Sequence, residues 1–241
     1  MSNPESMKKF EICAVNFASA LAAEQGGAHR IELCSALDVG GITPSPGLIQ
    51  QTIKNLTTTE VHVLIRPREG NFCYTNDELA VMIDDIAFCR QAGAAGVVVG
   101  ALNAENELDM PKMKAMRDAV GSMSITCHRA FDFTQKPLEA LEWLIELGFS
   151  RVLSSGQAPT AYEGRRWLKT FVESANGRIA VMPGSGITAE NIRAIATETG
   201  ALDFHFTGKK RIEQPTGALP GLENWYWESD ADLIKYIIAQ A

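Results

Sequence analysis

One alternation runs almost the whole length of the chain and narrows the folds open to it more than any single motif. Apolar, strand-like runs occur at 8–13, 29–34, 61–66, 96–101, 123–129, 151–155, 178–183 and 201–206. Between them lie amphipathic stretches such as "NFASALAAEQGGA" (16–28), "TNDELAVMIDDIAFCRQAGA" (75–94) and "KPLEALEWLIELGF" (136–149), with apolar residues recurring at three and four positions. Glycines Gly26, Gly93 and Gly148 are the expected left-handed stops, and Thr75 and Thr188 precede acidic residues as start signals, the second placing a helix at Ala189. Eight strands alternating with helices predict an α/β fold, a parallel (β/α)8 barrel forming one domain over 1–241, in preference to an open doubly wound sheet. A disordered tail at 1–7, an irregular Gly- and Pro-rich segment at 207–229 and a last short helix at 230–239 complete the expectation.

In such a barrel, strand residues alternate between the interior and the helix-facing side, and functional groups sit at the C-terminal strand ends. The polar residues of this sequence fall there. Parity turns Glu11 and Cys13 inward on the first strand and Glu32 and Cys34 inward on the second. Arg66 and Arg68 follow the third strand, and His128, Arg129 and Asp132 follow the fifth. The sixth ends "SSGQ" with Ser155, the seventh runs into "PGSGIT" with Gly184, Ser185 and Gly186, and the eighth turns Asp203, His205 and Thr207 to one side. An interior serving only to pack would be filled by Val, Ile and Leu. Convergent polar groups mark a site, although a structural network pairing Glu11 and Glu32 with Arg66 and Arg129 is the plainer alternative. The Gly-rich turn is a place for a phosphate, since helix N-termini present free N–H groups.

Composition excludes other classes. The 241 residues are 46% hydrophobic and 21% charged with a formal net charge of −7, and "GKKR" is the longest basic run. Nucleic acid is therefore not the expected partner. No apolar run spans a bilayer and "MSNPESMKKF" lacks a signal-type core, so a cytoplasmic protein without a membrane partner is expected. Five cysteines without a CxxC read as reduced thiols. Cys89 and Cys127 are expected in the core, and Cys73 lies on a loop. Trp225, Tyr226 and Trp227 in "ENWYWESD" (223–230) predict an interface in a homodimer or larger cyclic assembly, with an internal cap of the barrel as the alternative.

Taken together, "EIC", "GGAHRIELCSALDVGGITPSPG", "IRPREGNFCYTNDE", "HRAFD", "RVLSSGQ" and "VMPGSGIT" resemble the CutC copper-homeostasis family, from about Met7 to Thr207. The resemblance implies a cytoplasmic (β/α)8 barrel, a homodimer or larger oligomer, and copper handling through cysteines matching Cys13 and Cys34. It departs after His205: the family usually continues with a small residue or Cys and then Ser, followed by a longer region, where this chain reads "HFTGKKR". Thiolates are soft ligands that favour Cu(I), and neighbouring strands about 4.8 Å apart let two inward thiols share one ion. No organic cofactor is implied. The competing reading is an enzyme acting on a small anionic or phosphorylated molecule. There His128, Glu11, Glu32 and Asp132 are the catalytic candidates, and Arg66, Arg68, Arg129, Ser155, Gly184, Ser185, Gly186 and His205 hold the anion. A scaffolding barrel is the third class, disfavoured by the polar mouth.

Overall fold

A computed structural model describes residues 7–214 and 224–241. The tail residues 1–6 and the middle of the expected irregular segment, 215–223, lie outside the described residues. Eight strands alternate with helices: β1 Lys9–Ala14, β2 Arg30–Leu33, β3 Glu60–Leu64, β4 Gly96–Val99, β5 Ser124–Cys127, β6 Arg151–Ser154, β7 Ala180–Pro183 and β8 Asp203–Phe206. All pair in parallel in the order β7-β6-β5-β4-β3-β2-β1-β8. The last gap, between β7 and β8, is closed by a single bridge from Gly184 to His205 rather than by a ladder. The helices are α1 Phe17–Gln25, α2 Pro46–Asn55, α3 Asn76–Ala92, α4 Met110–Val120, α5 Pro137–Glu146, α6 Arg165–Ala175, α7 Ile192–Thr199 and α8 Ala231–Ala239.

Outward strand residues pack under the helices. Ile12, Ile31, Leu33, Val63, Val97, Val99 and Phe204 are fully buried there, together with Cys89 and Cys127. Burial of that apolar layer is the main favourable term in folding. The caps are local and chemical: Thr75 and Glu78 form a reciprocal capping box at α3, and Asn16, Ser45, Asp109 and Asp230 cap α1, α2, α4 and α8.

The structure corrects three local expectations. Gly26 is right-handed; it is small because a side chain there would meet Ile234 of α8. The helix expected at Ala189 begins at Ile192: residues 189–191 form a turn closed by the Ile192 amide on the Thr188 carbonyl, with the Thr188 amide taken by the Asn191 side chain. The segment 207–229 is not wholly irregular. Its ends form an antiparallel pair, β9 Lys209–Glu213 and β10 Trp225–Ser229, in which Tyr226 faces Ile212 and Trp227 faces Arg211. Trp225 and Trp227 pack edge to face at 5.1 Å, with Arg211 over the first and Lys209 over the second. Asn16 and Ser19 bond the β10 backbone and hold this hairpin against α1. Among the described residues no helix is long and apolar enough to cross a membrane.

Candidate metal and ligand site at the barrel mouth

Register and parity build the site. Glu11 stands beside Arg30 on β2 and beside His205 on β8, while Cys13 stands beside Glu32. All five side chains point into the barrel, where they form two layers.

The lower layer is a charged network. Arg30, 2% exposed, pairs through Nε with Glu11 and through Nη2 with Asp203 at 3.0 Å; Arg151 reaches the same Asp203 oxygen at 3.4 Å. Buried ions are tolerable only when paired like this. The pairing of Glu11 and Glu32 with Arg66 and Arg129 suggested by the sequence is not what the barrel does. Glu11 is committed to Arg30 one strand away, a residue whose parity with Glu32 and Cys34 was the signal for it.

The upper layer opens into a cavity of about 480 Å³. Sγ of Cys13 lies 3.5 Å from Sγ of Cys34. Ligand atoms of Cys13, Glu32 and His205 all fall within 4.8 Å of one another. Nδ1 of His205 is 2.8 Å from Glu11 and its Nε2 3.7 Å from Glu32. Burial alone would depress His205, but its contacts with Cys13, Glu11 and Glu32 outweigh it and hold the imidazole pKa well above its ordinary value. Burial likewise works against the Glu11 charge, yet the bond from His205 and the charge of Arg30 keep that carboxyl far below the usual range. Glu32 is raised by burial, His205 offsetting only part of the effect. The contact with Cys34, reinforced by burial, pushes the Cys13 thiol well above its ordinary value.

The sign of this coupling is testable. A raised imidazole stabilises the fold fully below its unfolded value of about 6.5, and that contribution is lost as pH rises through the folded value. The wild-type melting temperature should therefore decline on the alkaline side. His205→Gln should start lower and show a flatter alkaline limb; parallel limbs in thermal melts would refute the assignment.

Of the remaining candidates, Arg66, His128, Arg129, Ser185 and Gly186 line the cavity. Five do not. Glu11 sits one layer down. Arg68 is taken by Glu78 and by the carbonyls of Glu69, Asn71 and Cys73, and so faces another loop. Asp132 organises the loop after β6: it accepts from the Ser154 hydroxyl at 2.5 Å and from the amides of Ser155 and Gln157, and pairs with Arg129. Ser155 belongs to the same cluster, donating to Asp132 or Ala158 and accepting from Arg129. Gly184 lies behind the wall, its Cα hydrogen facing Leu153 and His205 where no Cβ would fit. Phe72, Leu37 and Lys209 line the cavity unannounced, because each arrives on a loop or hairpin with no periodicity to place it.

Comparison with known proteins agrees with this architecture. The CutC family model matches residues 8–210. A CutC family protein of Bacteroides thetaiotaomicron is 47% identical over 209 residues, 86% of this chain and 84% of its own. One from Xylella fastidiosa is 39% identical over 232 residues, 95% of this chain and 86% of its own. A solved CutC from Streptococcus agalactiae, described as a proposed copper homeostasis protein, superposes with a TM-score of 0.80 at 35% identity, covering 83% of this chain and 99% of that one. Phosphoribosyl anthranilate isomerase from Thermotoga maritima, 13% identical with a TM-score of 0.58 over 98% of both chains, shares the barrel fold alone. With its eight-stranded parallel barrel and with close sequence relatives along most of its length, the chain belongs to the CutC family.

Proposed function

We propose that the protein handles copper by binding Cu(I) between Cys13 and Cys34 at the mouth of the barrel. The observation that carries this reading is the approach of the two sulfur atoms to 3.5 Å on neighbouring strands. Neither thiol is exposed, so the pair is shielded yet faces a cavity through which a small ion can enter. The donor set fits the ion. Two thiols are soft ligands suited to Cu(I), and the imidazole of His205 becomes an acceptable third donor once it gives up the proton that Glu11 and Glu32 stabilise. Glu32 is a poor ligand for a soft ion and better suited to holding His205. Family membership and the copper-homeostasis description of the Streptococcus agalactiae relative support the same reading.

The deciding experiment is a competition titration of Cu(I) under reducing conditions against a chelator of known affinity. The Cys13→Ser/Cys34→Ser protein should fold and should bind at least about 100-fold more weakly than wild type, since loss of an outer-sphere partner alone costs 10–100-fold. Equal affinities would end the proposal.

A further inference from the structure

The wall of the cavity formed by Arg66 and His128 has no role in holding a soft cation. Arg66 is 5% exposed and donates through its two terminal nitrogens to the carbonyls of Val39, Gly41 and Gly70, at 2.9, 2.6 and 2.8 Å. Its Nε, also buried, has no acceptor. Carbonyls satisfy N–H groups but leave the charge uncompensated, and among the described residues no carboxylate pairs with this guanidinium. His128, equally buried, accepts at Nδ1 from the Ala130 amide at 3.1 Å, which puts its proton on Nε2. That Nε2–H is a buried donor without a partner. Phe72 lies against both groups, 4.8 Å from the imidazole and 5.2 Å from the guanidinium, so they share one wall.

The rest of the lining points the same way. Ser185 and Gly186 both have positive φ, +81° and +68°, and the amides of Gly186 and Ile187 meet no protein acceptor among the described residues. A non-glycine residue in that conformation is strain of the kind found at ligand sites. Arg129, whose charge is met by Asp132 behind it, and Lys209, which lies over Trp227, join Arg66 on the lining, against the single carboxylate of Glu32. A basic cavity in a chain of net charge −7 is a local device rather than a reflection of composition.

We propose that this wall binds a small organic anion, a carboxylate or a phosphate, with an oxyanion oxygen that takes the hydrogen bond of His128 Nε2 beside the charge of Arg66. A buried donor left unpaired is costly, and an acceptor oxygen on a ligand relieves that cost. The cavity volume of about 480 Å³ is that of a metabolite site. Burial pushes His128 down to about 3, with Arg66 adding to the effect, so the imidazole remains a neutral donor across the working pH range. The proposal is independent of copper: the metal-free protein should bind the anion.

Calorimetric titration of the metal-free protein with inorganic phosphate and, separately, with malonate tests it and distinguishes the two ligand classes by which binds. His128→Asn keeps an acceptor for the Ala130 amide, but its own amide nitrogen falls short of the Nε2 position, so binding should weaken about tenfold. Arg66→Lys should weaken it further. Because Arg66 also staples two loops, side-chain 15N spectra of the wild type give a second readout in which the His128 Nε2 resonance shifts with saturation. The proposal is overturned if neither anion binds, if His128→Asn binds as wild type does, or if that resonance stays fixed. It is also overturned if the anions raise the melting temperatures of wild type and variant alike, which is general ion exclusion.

Discussion

Replacing Arg30 by methionine should destabilise the protein by about 3–5 kcal/mol, the usual cost of removing one partner from a buried ion network. Methionine has similar length and is apolar, so the expected loss is not one of volume. It arises because Glu11, fully buried, and Asp203, 8% exposed, would keep their charges with only His205 left beside the first and Arg151 beside the second. Arg151 cannot substitute for it, since it reaches Asp203 but forms no ion pair with Glu11. The effect should also depend on pH. The Glu11 carboxyl is held far below its ordinary value, partly by Arg30, so its contribution is complete above about pH 4.3 and is lost as pH falls through the folded value. In the variant that contribution shrinks, and the stability gap between the proteins should narrow in acid. Urea unfolding at neutral and acid pH measures both quantities. A variant within 1 kcal/mol of wild type at neutral pH, a margin of about fivefold in the folding constant, would show that the layer is dispensable.

The second large effect concerns copper. A thiol must lose its proton to ligate, so Cu(I) competes with protons for the Cys13–Cys34 pair and affinity should rise with pH. One displaced proton gives about tenfold per pH unit and two give about 100-fold. An ordinary thiol titrates near 8.5, above which the dependence would flatten. The Cys13 thiol is pushed well above its ordinary value by Cys34 and by burial, so the rise should continue past that point. Competition titrations between about pH 6 and 9 read the slope directly. A site built instead on Glu32 and the imidazole would also gain affinity with pH, since the raised His205 imidazole must lose its proton to ligate, but it would keep that slope in the Cys13→Ser/Cys34→Ser protein. A binding constant that is flat with pH would exclude thiolate ligation even if copper bound.

Much of this arrangement was legible in the sequence because it rests on period. Alternation along the strands turned Glu11, Cys13, Glu32, Cys34 and His205 inward, and the ladders keep that parity. What parity does not give is register between strands. The order along β1 already places Glu11 a layer below Cys13, but nothing in the residue pattern sets Arg30 between two carboxylates contributed by strands far apart in sequence. Loop residues were still harder to place. Arg66 and Arg68 stand two positions apart after β3, yet one enters the cavity and the other leaves it, because loop carbonyls and Glu78 compete for their guanidinium groups. His128 was identifiable as a mouth residue. Its state as a neutral donor depends on the Ala130 amide, a main-chain contact that no side-chain pattern encodes. The hairpin of β9 and β10 was hidden for a similar reason: its strands are brief and separated by residues whose composition suggests only a loop.

The closure between β7 and β8 has a mechanical consequence. Every other neighbouring pair of barrel strands is joined by a ladder, whereas this one meets at the single bridge from Gly184 to His205. Opening there breaks the fewest main-chain bonds, so this slit is where the barrel breathes most cheaply. The slit is flanked by His205 on one side and by the Ser185–Gly186 turn on the other, both facing the cavity. A guest touching both lips would act as a clasp across the weakest line of the sheet. Occupancy would then register as slowed amide exchange in strands the guest never touches, converting a local binding event into a stiffening of the whole cylinder.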